Sequence, residues 1–343
     1  MKDAFGREIS YLRIAVTDRC NLRCTYCMPA EGVAPQRHEE ILRYEEIARL
    51  VSAGISTGIR RVRLTGGEPL VRRDIVDLVA ALKALPGLDE ISLTTNGTLL
   101  APLAARLAAA GLRRVNVSLD SLRPDRFRFL TRGGEVDRVL AGIDQALAVG
   151  LGPVKINAVV MAGVNDDELL DLARLSLQRE VHVRFIELMA IGQSAARGGG
   201  YVASAVLWER LQPLVAEVGG AVEEHVPGNG PARSYRLSGA RGTVGFISPV
   251  SDRFCDRCNR LRLTADGHLR PCLLSSREID VRDALRSAAS PRELADLFRQ
   301  AVALKPAEQE FPQAAPGQCG AGLPAADETR DCRPGRYMSQ IGG

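Results

Sequence analysis

The stretch Cys20-Asn21-Leu22-Arg23-Cys24-Thr25-Tyr26-Cys27-Met28-Pro29 follows a short strand-like segment and is the most informative part of the chain. Its three cysteines have the spacing C-x3-C-x2-C, and no fourth cysteine is nearby. Three thiolates can hold only three irons of a cubic 4Fe-4S cluster, so the fourth iron stays open to a small molecule. A zinc knuckle or disulfides are the alternatives, but structural zinc usually takes four ligands and these cysteines supply one too few. The spacing therefore favours an open-iron cluster, which suggests chemistry rather than simple electron carriage.

Length and composition indicate one large domain, or a main domain with a smaller companion. The chain has 343 residues, of which 45% are hydrophobic and 25% charged, with a formal net charge of +4. Only 4% are aromatic, which argues against a stacking platform, so we expect no nucleic-acid partner. We also expect a cytoplasmic protein without membrane attachment, because the sequence shows neither a secretory signal nor a long uncharged apolar stretch. In that reducing compartment the eight cysteines are better interpreted as thiols or metal ligands than as disulfides.

Short β-rich runs alternate with longer helical runs over the first half of the chain. The predicted strands are Tyr11–Thr17, Arg61–Thr65, Glu90–Thr95, Arg114–Leu119, Val154–Val160 and His182–Leu188. The predicted helices between them are Tyr44–Thr57, Asp74–Ala84, Leu99–Ala110, Val136–Ala148 and Asp167–Leu177. This pattern predicts an α/β fold with a parallel sheet, open or curled into a partial barrel. A Rossmann fold is disfavoured because no G-x-G-x-x-G turn follows the first strand.

The alternation ends at the glycine run Gly198–Gly200, where we place a domain boundary. Residues 1–198 then form the main domain, residues 199–311 a smaller β-containing domain, and residues 312–343 a flexible tail rich in Pro, Gly and Ala. Asp266-Gly267 in the second domain is a strong hairpin signal. We assign no role to the two cysteines of the tail, Cys319 and Cys332.

Cations occupy strand positions that should face the inside of a barrel. Barrel interiors are normally filled with branched apolar side chains, so inward cations call for an explanation. Alternation places the following polar residues opposite the apolar face that helices should cover: Arg13, Arg63, Lys155, Asn157, His182 and Arg184. Cations that converge on one cavity repel each other unless an anion neutralises them, and the simplest such anion is a phosphorylated substrate. The alternative is that each cation reaches the rim or pairs with a buried acid.

The segment Thr65-Gly66-Gly67-Glu68-Pro69 follows the second strand, at the carboxyl end where parallel barrels place their active sites. Two glycines allow the backbone to approach a ligand closely, although tight turns use the same residues.

A second cysteine set lies in the predicted second domain. It consists of three cysteines around the hairpin: Cys255, Cys258 and Cys272. Zinc is an open alternative here, because His268 could fold back as a fourth ligand, and spacing alone supports zinc and an iron-sulfur cluster about equally. Alternation puts Arg260 and Arg262 on one strand face, where their planar forks would suit phosphate; a solvated face is the alternative.

Together these motifs resemble the signatures of the radical S-adenosylmethionine (SAM) enzymes, and most closely those of the MoaA family, the GTP 3′,8-cyclases of molybdenum cofactor biosynthesis. The segments that carry the resemblance are Cys-Asn-Leu-Arg-Cys-Thr-Tyr-Cys-Met-Pro, Leu-Thr-Gly-Gly-Glu-Pro-Leu, Thr-Thr-Asn-Gly, Val-Ser-Leu-Asp, Arg-Phe-Ile-Glu-Leu-Met, Cys-Asp-Arg-Cys-Asn-Arg-Leu-Arg-Leu-Thr-Ala-Asp-Gly and a terminal Gly-Gly. The similarity runs from about Tyr11 to Leu304 and resumes at the C-terminus. It implies an incomplete (β/α)6 TIM-like barrel of the radical SAM type, closed by a smaller C-terminal domain.

The resemblance also implies two 4Fe-4S clusters, SAM and a set of site residues. The first cluster would be held by Cys20, Cys24 and Cys27, and the second by Cys255, Cys258 and Cys272. SAM would contact Tyr26, Gly67, Ser118 and Met189. GTP would contact Arg13, Arg63, Thr94, Lys155, Arg260 and Arg262. The catalytic set would be the first three cysteines with Arg260 and Arg262, and Gly342-Gly343 would reach into the site.

The implied reaction begins when the reduced first cluster passes one electron to SAM and a 5′-deoxyadenosyl radical forms. This radical would take hydrogen from C3′ of GTP, and the ribose radical would attack C8 of the guanine. Implied partners are a low-potential electron donor of the flavodoxin or ferredoxin type and the downstream cyclic pyranopterin monophosphate synthase, MoaC. The protein would be a monomer or homodimer. A peptide-modifying radical SAM maturase and a non-catalytic redox or zinc protein are the alternatives.

Overall fold

A computed structural model describes residues 1–189, 191, 200–228, 230–309 and 336–342. Within these ranges, 12 strands form one mixed sheet. They are β1 (Tyr11–Ala15), β2 (Arg61–Thr65), β3 (Glu90–Thr95), β4 (Arg114–Ser118), β5 (Val154–Val160), β6 (Val181–Glu187), β7 (Ala221–Glu223), β8 (Arg233–Leu237), β9 (Thr243–Ile247), β10 (Arg260–Leu263), β11 (His268–Arg270) and β12 (Ile279–Asp280). From edge to edge the order is β12-β11-β10-β1-β2-β3-β4-β5-β6-β9-β8-β7.

The described helices are α1 (Tyr44–Thr57), α2 (Ile75–Lys83), α3 (Leu100–Ala109), α4 (Pro124–Thr131), α5 (Val136–Ala148), α6 (Leu169–Gln178), α7 (Ser204–Glu217), α8 (Arg282–Arg286), α9 (Pro291–Ala303) and α10 (Met338–Ile341). The predicted bounds of β2, β3, β5, α1 and α5 are confirmed, and the other elements predicted up to residue 188 differ by one or two residues at their ends. Helices α4 and α9 were not predicted. Ser290 and Glu293 form a capping box at the start of α9, and this pattern could have revealed that helix.

Strands β1 to β6 pair in chain order and in parallel, as predicted. A chain that returns through a helix after each strand lays the next strand parallel to the last. The carboxyl ends of these six strands therefore meet at one edge of the sheet, where the first cysteine segment and the Gly66-Gly67 turn follow β1 and β2.

Strands from the C-terminal half extend this six-stranded core on both sides. Strand β10 pairs in parallel with β1, and β9 pairs in parallel with β6. Further antiparallel strands follow at each edge, and the turn at Asp266-Gly267 joins β10 to β11 as the predicted hairpin. The described sheet is mixed and not closed, because β12 and β7 are its edges.

The two faces of the central strands differ as the alternation predicts. Leu12 and Ile14 of β1 and Leu64 of β2 have no exposed surface and belong to the hydrophobic core. Arg13 and Arg63 alternate with them and lie on the opposite face. The fold therefore separates an apolar layer from a polar interior along the same strands.

Several predictions from the sequence fall outside the described residues. These are residues 312–335 of the predicted tail, with Cys319 and Cys332, the final Gly343, and most of the glycine run where the domain boundary was placed. In the part of the chain that the structure describes, no helix combines the length and apolar character needed to cross a membrane.

Phe298 of α9 packs the C-terminal half against α1. It has no exposed surface, and its ring atom Cζ lies 2.8 Å from the position that a Cβ on Gly54 would take. We expect Phe298→Ala to lower the free energy of unfolding by about 3–5 kcal/mol, because it removes a fully buried ring and leaves a cavity. Phe129→Ala is the matched control: Phe129 is 66% exposed, so its loss should change stability by less than about 0.5 kcal/mol. Urea unfolding of the metal-free protein measures both, and equal midpoints for the two variants would contradict this packing.

Candidate functional site

The polar face of the sheet lines a deep chamber with about 1450 Å³ of empty space, solvent at its mouth included. The chamber brings together these predicted site residues: Arg13, Tyr26, Arg63, Thr94, Ser118, Met189, Cys255, Cys258, Arg260, Arg262 and Cys272. The remaining predicted residues are not part of this lining: Cys20, Cys24, Cys27, Gly67 and Lys155. Residues that are far apart in sequence therefore converge on one space.

The two cysteine sets lie at opposite ends of one pair of strands. Strands β1 and β10 run in parallel, with Arg13 beside Arg262. Cys258 precedes the amino end of β10, whereas Cys20 follows the carboxyl end of β1. A strand of five residues at about 3.3 Å per residue puts roughly 16 Å between these ends. The arginines of both strands face the chamber between the two sets.

The first cysteine loop is held by backbone contacts and surrounded by protein. The amides of Arg23 and Thr25 donate to carbonyls in the last turn of α4. The amide of Leu22 donates to Cys20 Sγ at 3.4 Å. Burial raises the pKa of Cys20 to about 11 and that of Cys27 to about 12. These thiols stay protonated at neutral pH unless a positive partner such as iron stabilises the thiolate form.

The Gly66-Gly67 turn packs against the backbone that precedes the first cysteine. Gly66 has a φ of +148°, and a Cβ on Gly67 would lie 2.2 Å from the carbonyl oxygen of Arg19. Glu68 follows, is 1% exposed, and accepts a hydrogen bond from Thr95 Oγ1 at 2.7 Å. Burial raises the pKa of Glu68 to about 7. The glycines are therefore needed for close packing of this turn on the cysteine loop.

Nitrogen donors also reach the second cysteine set. The amide of Gln309 donates to Cys255 Sγ at 3.4 Å, and Lys305 Nζ donates to Cys258 Sγ at 3.5 Å. Burial opposes ionisation of Cys258, but Arg260 and Lys305 outweigh it and bring its pKa to about 6. Cys258 is therefore ready to act as a thiolate ligand at neutral pH.

The predicted alternative of a zinc site with His268 as fourth ligand is not supported. Nδ1 of His268 lies 3.4 Å from the carboxylate of Asp266, and Nε2 lies 3.8 Å from that of Asp280. The hydrogen bond with Asp266 raises the pKa of His268, which favours the imidazolium rather than a neutral ligand. Across the described ranges, no three His, Cys, Asp or Glu side chains are grouped closely enough for a single metal ion. A cubic cluster binds its thiolates on separate irons and so tolerates wider spacing than one zinc ion.

Positive charge dominates the chamber. Among the described residues its lining has one carboxylate, Asp120, against these six cations: Arg13, Arg63, Arg184, Arg260, Arg262 and Lys305. Burial and repulsion from neighbouring arginines lower the pKa of Arg184 to about 9 and that of Arg262 to about 10. The side-chain oxygen of Asn116, in the orientation that satisfies both neighbours, accepts from Arg63 at 2.5 Å and from Arg184 at 2.8 Å. A polyanion in this chamber would relieve the repulsion.

Buried polar atoms in the lining also point to a ligand. Among the described residues, Tyr11 Oη, Thr94 Oγ1 and Arg184 Nε have no hydrogen-bond partner. Buried polar groups are normally paired, so these atoms suit a polar molecule in the chamber. The alternation of the sequence indicated that Arg184 faces inward, but we assigned it no binding role.

Lys155 lies beside the chamber rather than in its lining. Its Nζ donates to the carbonyl of Pro227 at 2.5 Å, and Arg114 Nη1 donates to the same oxygen at 2.9 Å. Burial, together with the charges of Arg184 and Arg114, lowers the pKa of Lys155 to about 6. Lys155 is therefore mostly uncharged at neutral pH until an anion comes close.

Three of the predicted SAM contacts, Tyr26, Ser118 and Met189, line the chamber. The hydroxyl of Tyr26 donates to Asp120 at 2.8 Å, as does the amide of Val159. Burial raises the pKa of Asp120 to about 6. The sequence analysis gave Asp120 no role, although it ends the Val-Ser-Leu-Asp segment and could have been noticed there.

Helix α10 borders the chamber, and its Met338 joins the lining. Arg262 Nη1 donates to the carbonyl of Gly342 at 2.5 Å. A Cβ on Gly342 would lie 2.6 Å from the side chain of Thr65, so only glycine fits against β2 there. Gly342 thus reaches one of the predicted substrate arginines.

Comparison with known sequences gives two family matches and close relatives. Residues 14–176 match the Radical SAM superfamily, and residues 181–311 match the family Molybdenum Cofactor Synthesis C. A protein of Moorella thermoacetica named GTP 3′,8-cyclase is 53% identical over 346 residues, with 100% of both chains covered. A protein of Heliobacterium modesticaldum with the same name is 53% identical over 345 residues, again with 100% of both covered.

Solved structures with the same fold are more distant in sequence. Streptococcus suis SuiB bound to S-adenosylmethionine aligns with a TM-score of 0.58 and 16% identity, over 82% of this chain and 66% of that chain. SuiB bound to the precursor peptide SuiA aligns with a TM-score of 0.59 and 15% identity, over 85% and 67%. At this identity the likeness shows the shared fold alone.

We expect Gly67→Ala to remove most of the iron bound by the first cysteine set, because the added methyl would collide with the carbonyl of Arg19 and displace the loop. Variants made in a background with Cys255, Cys258 and Cys272 replaced by alanine isolate this set. Iron per chain after anaerobic reconstitution is the measurement. Gly152→Ala is the control, since an added Cβ there meets nothing within 4 Å. Full iron retention in Gly67→Ala would show that the turn does not position the loop.

We expect binding of a polyanion such as inorganic triphosphate near neutral pH to be accompanied by uptake of about one proton, because an anion raises the pKa of Lys155 from about 6 towards its ordinary value. Calorimetric titration in two buffers with different ionisation enthalpies measures the uptake. Lys155→Met should abolish it, whereas Lys83→Met, a change on the exposed side of α2, should not. A binding enthalpy that is the same in both buffers would contradict the charge state assigned to Lys155.

Proposed function

The chain belongs to the radical SAM superfamily and, within it, to the GTP 3′,8-cyclases, and we propose on that basis that it converts GTP to (8S)-3′,8-cyclo-7,8-dihydroguanosine 5′-triphosphate. This reaction would be the first step of molybdenum cofactor biosynthesis, in keeping with the match of residues 181–311. The single observation that carries the proposal is a chamber with six cations and one carboxylate between two cysteine sets.

The charge of the chamber suits a nucleoside triphosphate. Planar guanidinium groups bind phosphate oxygens in pairs, and five of the six cations are arginines. Arg13 and Arg262 are neighbours across β1 and β10, so two forks lie side by side. Thr94 adds a buried hydroxyl without a partner among the described residues. We assign these residues, with Arg63, Arg260 and Lys155, to GTP.

The first cysteine set fits the cluster that the family carries. Cys20, Cys24 and Cys27 are free thiols in one loop, and their raised pKa values leave them dependent on a metal for their charge. A 4Fe-4S cluster held there supplies one electron to bound SAM and breaks its carbon–sulfur bond. Tyr26, held by its hydrogen bond to Asp120, lies between this loop and the chamber.

We assign a second 4Fe-4S cluster to Cys255, Cys258 and Cys272. All three are free thiols that line the chamber. The orientation of His268 towards two carboxylates favours this assignment over a zinc site. N–H donors at the sulfur atoms of Cys255 and Cys258 are contacts that tune iron-sulfur clusters.

The residues of this chain contribute positioning and exclusion of water. The register of β1 and β10 fixes the arginines between the two cysteine sets, and substrate held there would lie near the SAM end of the chamber. Holding the reacting atoms in place accounts for a large share of such catalysis. The carbonyl of Gly342 on Arg262 places the end of the chain at the same arginine, so the tail would meet bound substrate.

The proposal extends to partners that the chemistry needs. Each turnover needs two electrons from outside the chain, one to cleave SAM and one, with a proton, to reduce the radical left when the new bond to C8 has formed. A low-potential donor of the flavodoxin or ferredoxin type therefore belongs to the proposal. The product keeps the triphosphate of GTP and contains a newly formed, strained ring. An enzyme of the cyclic pyranopterin monophosphate synthase type, MoaC, would consume it.

Anaerobic reconstitution with GTP, SAM and dithionite tests the activity. We expect an isomer of GTP to form, resolved by chromatography and identified by mass analysis. GTP deuterated at C3′ should pass deuterium to 5′-deoxyadenosine, because that hydrogen is the one abstracted. Formation of 5′-deoxyadenosine without GTP-dependent label transfer would refute the proposal and favour another radical SAM substrate, such as a peptide.

We expect Arg260→Ala to weaken GTP binding about tenfold or more, since a hydrogen bond to a charged group contributes about 1.5–3 kcal/mol and 1.4 kcal/mol is tenfold. Arg257→Ala is the matched control, because that arginine lies only three residues before Arg260 but its side chain is 73% exposed. Equilibrium binding of GTP, with iron content measured in each variant, gives the comparison. Equal losses in both variants would argue against a phosphate role for Arg260.

A further inference from the structure

Lys305 is a buried cation whose hydrogen bonds go to the second cysteine set. It follows α9 and is 5% exposed. Its Nζ donates to Cys258 Sγ at 3.5 Å and to the carbonyl oxygens of Arg260 and Pro271, each at 2.9 Å. Three acceptors match the three N–H groups of an ammonium. Pro271 directly precedes Cys272, so one side chain joins both parts of the set.

The charge of Lys305 is matched by thiols rather than by a carboxylate. Within the described ranges it forms no ion pair with Asp or Glu. Burial lowers the pKa of Lys305, and the groups that oppose this shift and favour the charged form are Cys258 and Cys272. A buried ammonium needs a compensating negative charge nearby. Thiolates that bind iron would provide that charge.

The use of lysine at this position is informative in a chain that otherwise uses arginine. Among 45 Lys and Arg residues, four are lysines: Lys2, Lys83, Lys155 and Lys305. An ammonium is compact and directs three donors to three separate acceptors, whereas a guanidinium is a planar fork. The three separate acceptors around Lys305 therefore suit an ammonium and not a guanidinium.

The residues after Lys305 continue the same contacts. Gln309 donates its amide to Cys255 Sγ at 3.4 Å. Arg7, which is 8% exposed, donates to the carbonyl of Pro306 at 2.6 Å and to that of Cys255 at 2.7 Å. Residues 305–309 therefore form a strap that is tied to the second cysteine set at both ends.

We propose that Lys305 is a positioning residue of the second iron-sulfur site, which holds Cys258 and Cys272 in place and makes the bound cluster easier to reduce. This inference rests on the proposed function, because it assumes a cluster on these cysteines. Hydrogen bonds to cluster sulfur and nearby positive charge stabilise the more negative, reduced state and so raise the reduction potential. The strap thus sets the redox properties of the site that borders the substrate chamber.

The test uses the full chain with Cys20, Cys24 and Cys27 replaced by alanine, so that all bound iron reports the second site. This parent is compared with Lys305→Met, Lys305→Gln and Lys305→Arg, and with Lys83→Met as the exposed control. Each is reconstituted anaerobically with iron and sulfide. Iron per chain, the electron paramagnetic resonance spectrum of the reduced state and the midpoint potential are then measured.

We expect about four irons per chain in the parent and in Lys83→Met. Lys305→Met should lower the midpoint potential or lose the iron. Lys305→Arg keeps the charge but not the match to three separate acceptors, so it should retain more iron than Lys305→Met and less than the parent. If Lys305→Met fails to fold by circular dichroism, the potential of the neutral but polar Lys305→Gln decides. If the neutral variants keep the iron content and midpoint potential of the parent, the role of Lys305 is overturned and the second cluster of the proposed function is not. A parent without iron would overturn the second cluster of the proposed function as well.

Discussion

Repulsion among buried cations is the constraint on which the rest of this site depends. Alternation along β1, β2, β6 and β10 places arginines on the inner face of the sheet, where burial and neighbouring arginines lower the pKa of Arg13 and Arg184. Neutral oxygens offset part of the repulsion between the arginines. Asn116 accepts hydrogen bonds from Arg63 and Arg184, and the carbonyl of Gly342 accepts one from Arg262. Under the proposed function, the remaining imbalance is what selects a polyanionic substrate.

The register between β1 and β10 determines where these arginines lie. A strand from the C-terminal half of the chain lies directly beside β1, so the amino end of the pair carries one cysteine set and the carboxyl end leads to the other. Both halves of the chain therefore contribute residues to one chamber. The strap of residues 305–309 and the end of the chain add contacts from the C-terminal side.

Periodicity predicted those parts of the fold and site that depend on local pattern. Strands such as β2 and β5, and the inward direction of Arg63, follow from alternation within a few residues. Lys305 was missed because its partners are 34 to 47 residues away in the sequence. The packing role of Gly67 against Arg19, and the turn of His268 away from the cysteines, are likewise tertiary contacts that spacing does not encode.

Diffraction at the iron absorption edge from crystals of the anaerobically reconstituted protein with GTP tests the central claim most directly. We expect anomalous density at both cysteine sets, with the triphosphate between them against Arg13 and Arg262. Iron at one set alone, or a nucleotide bound away from these arginines, would contradict the account.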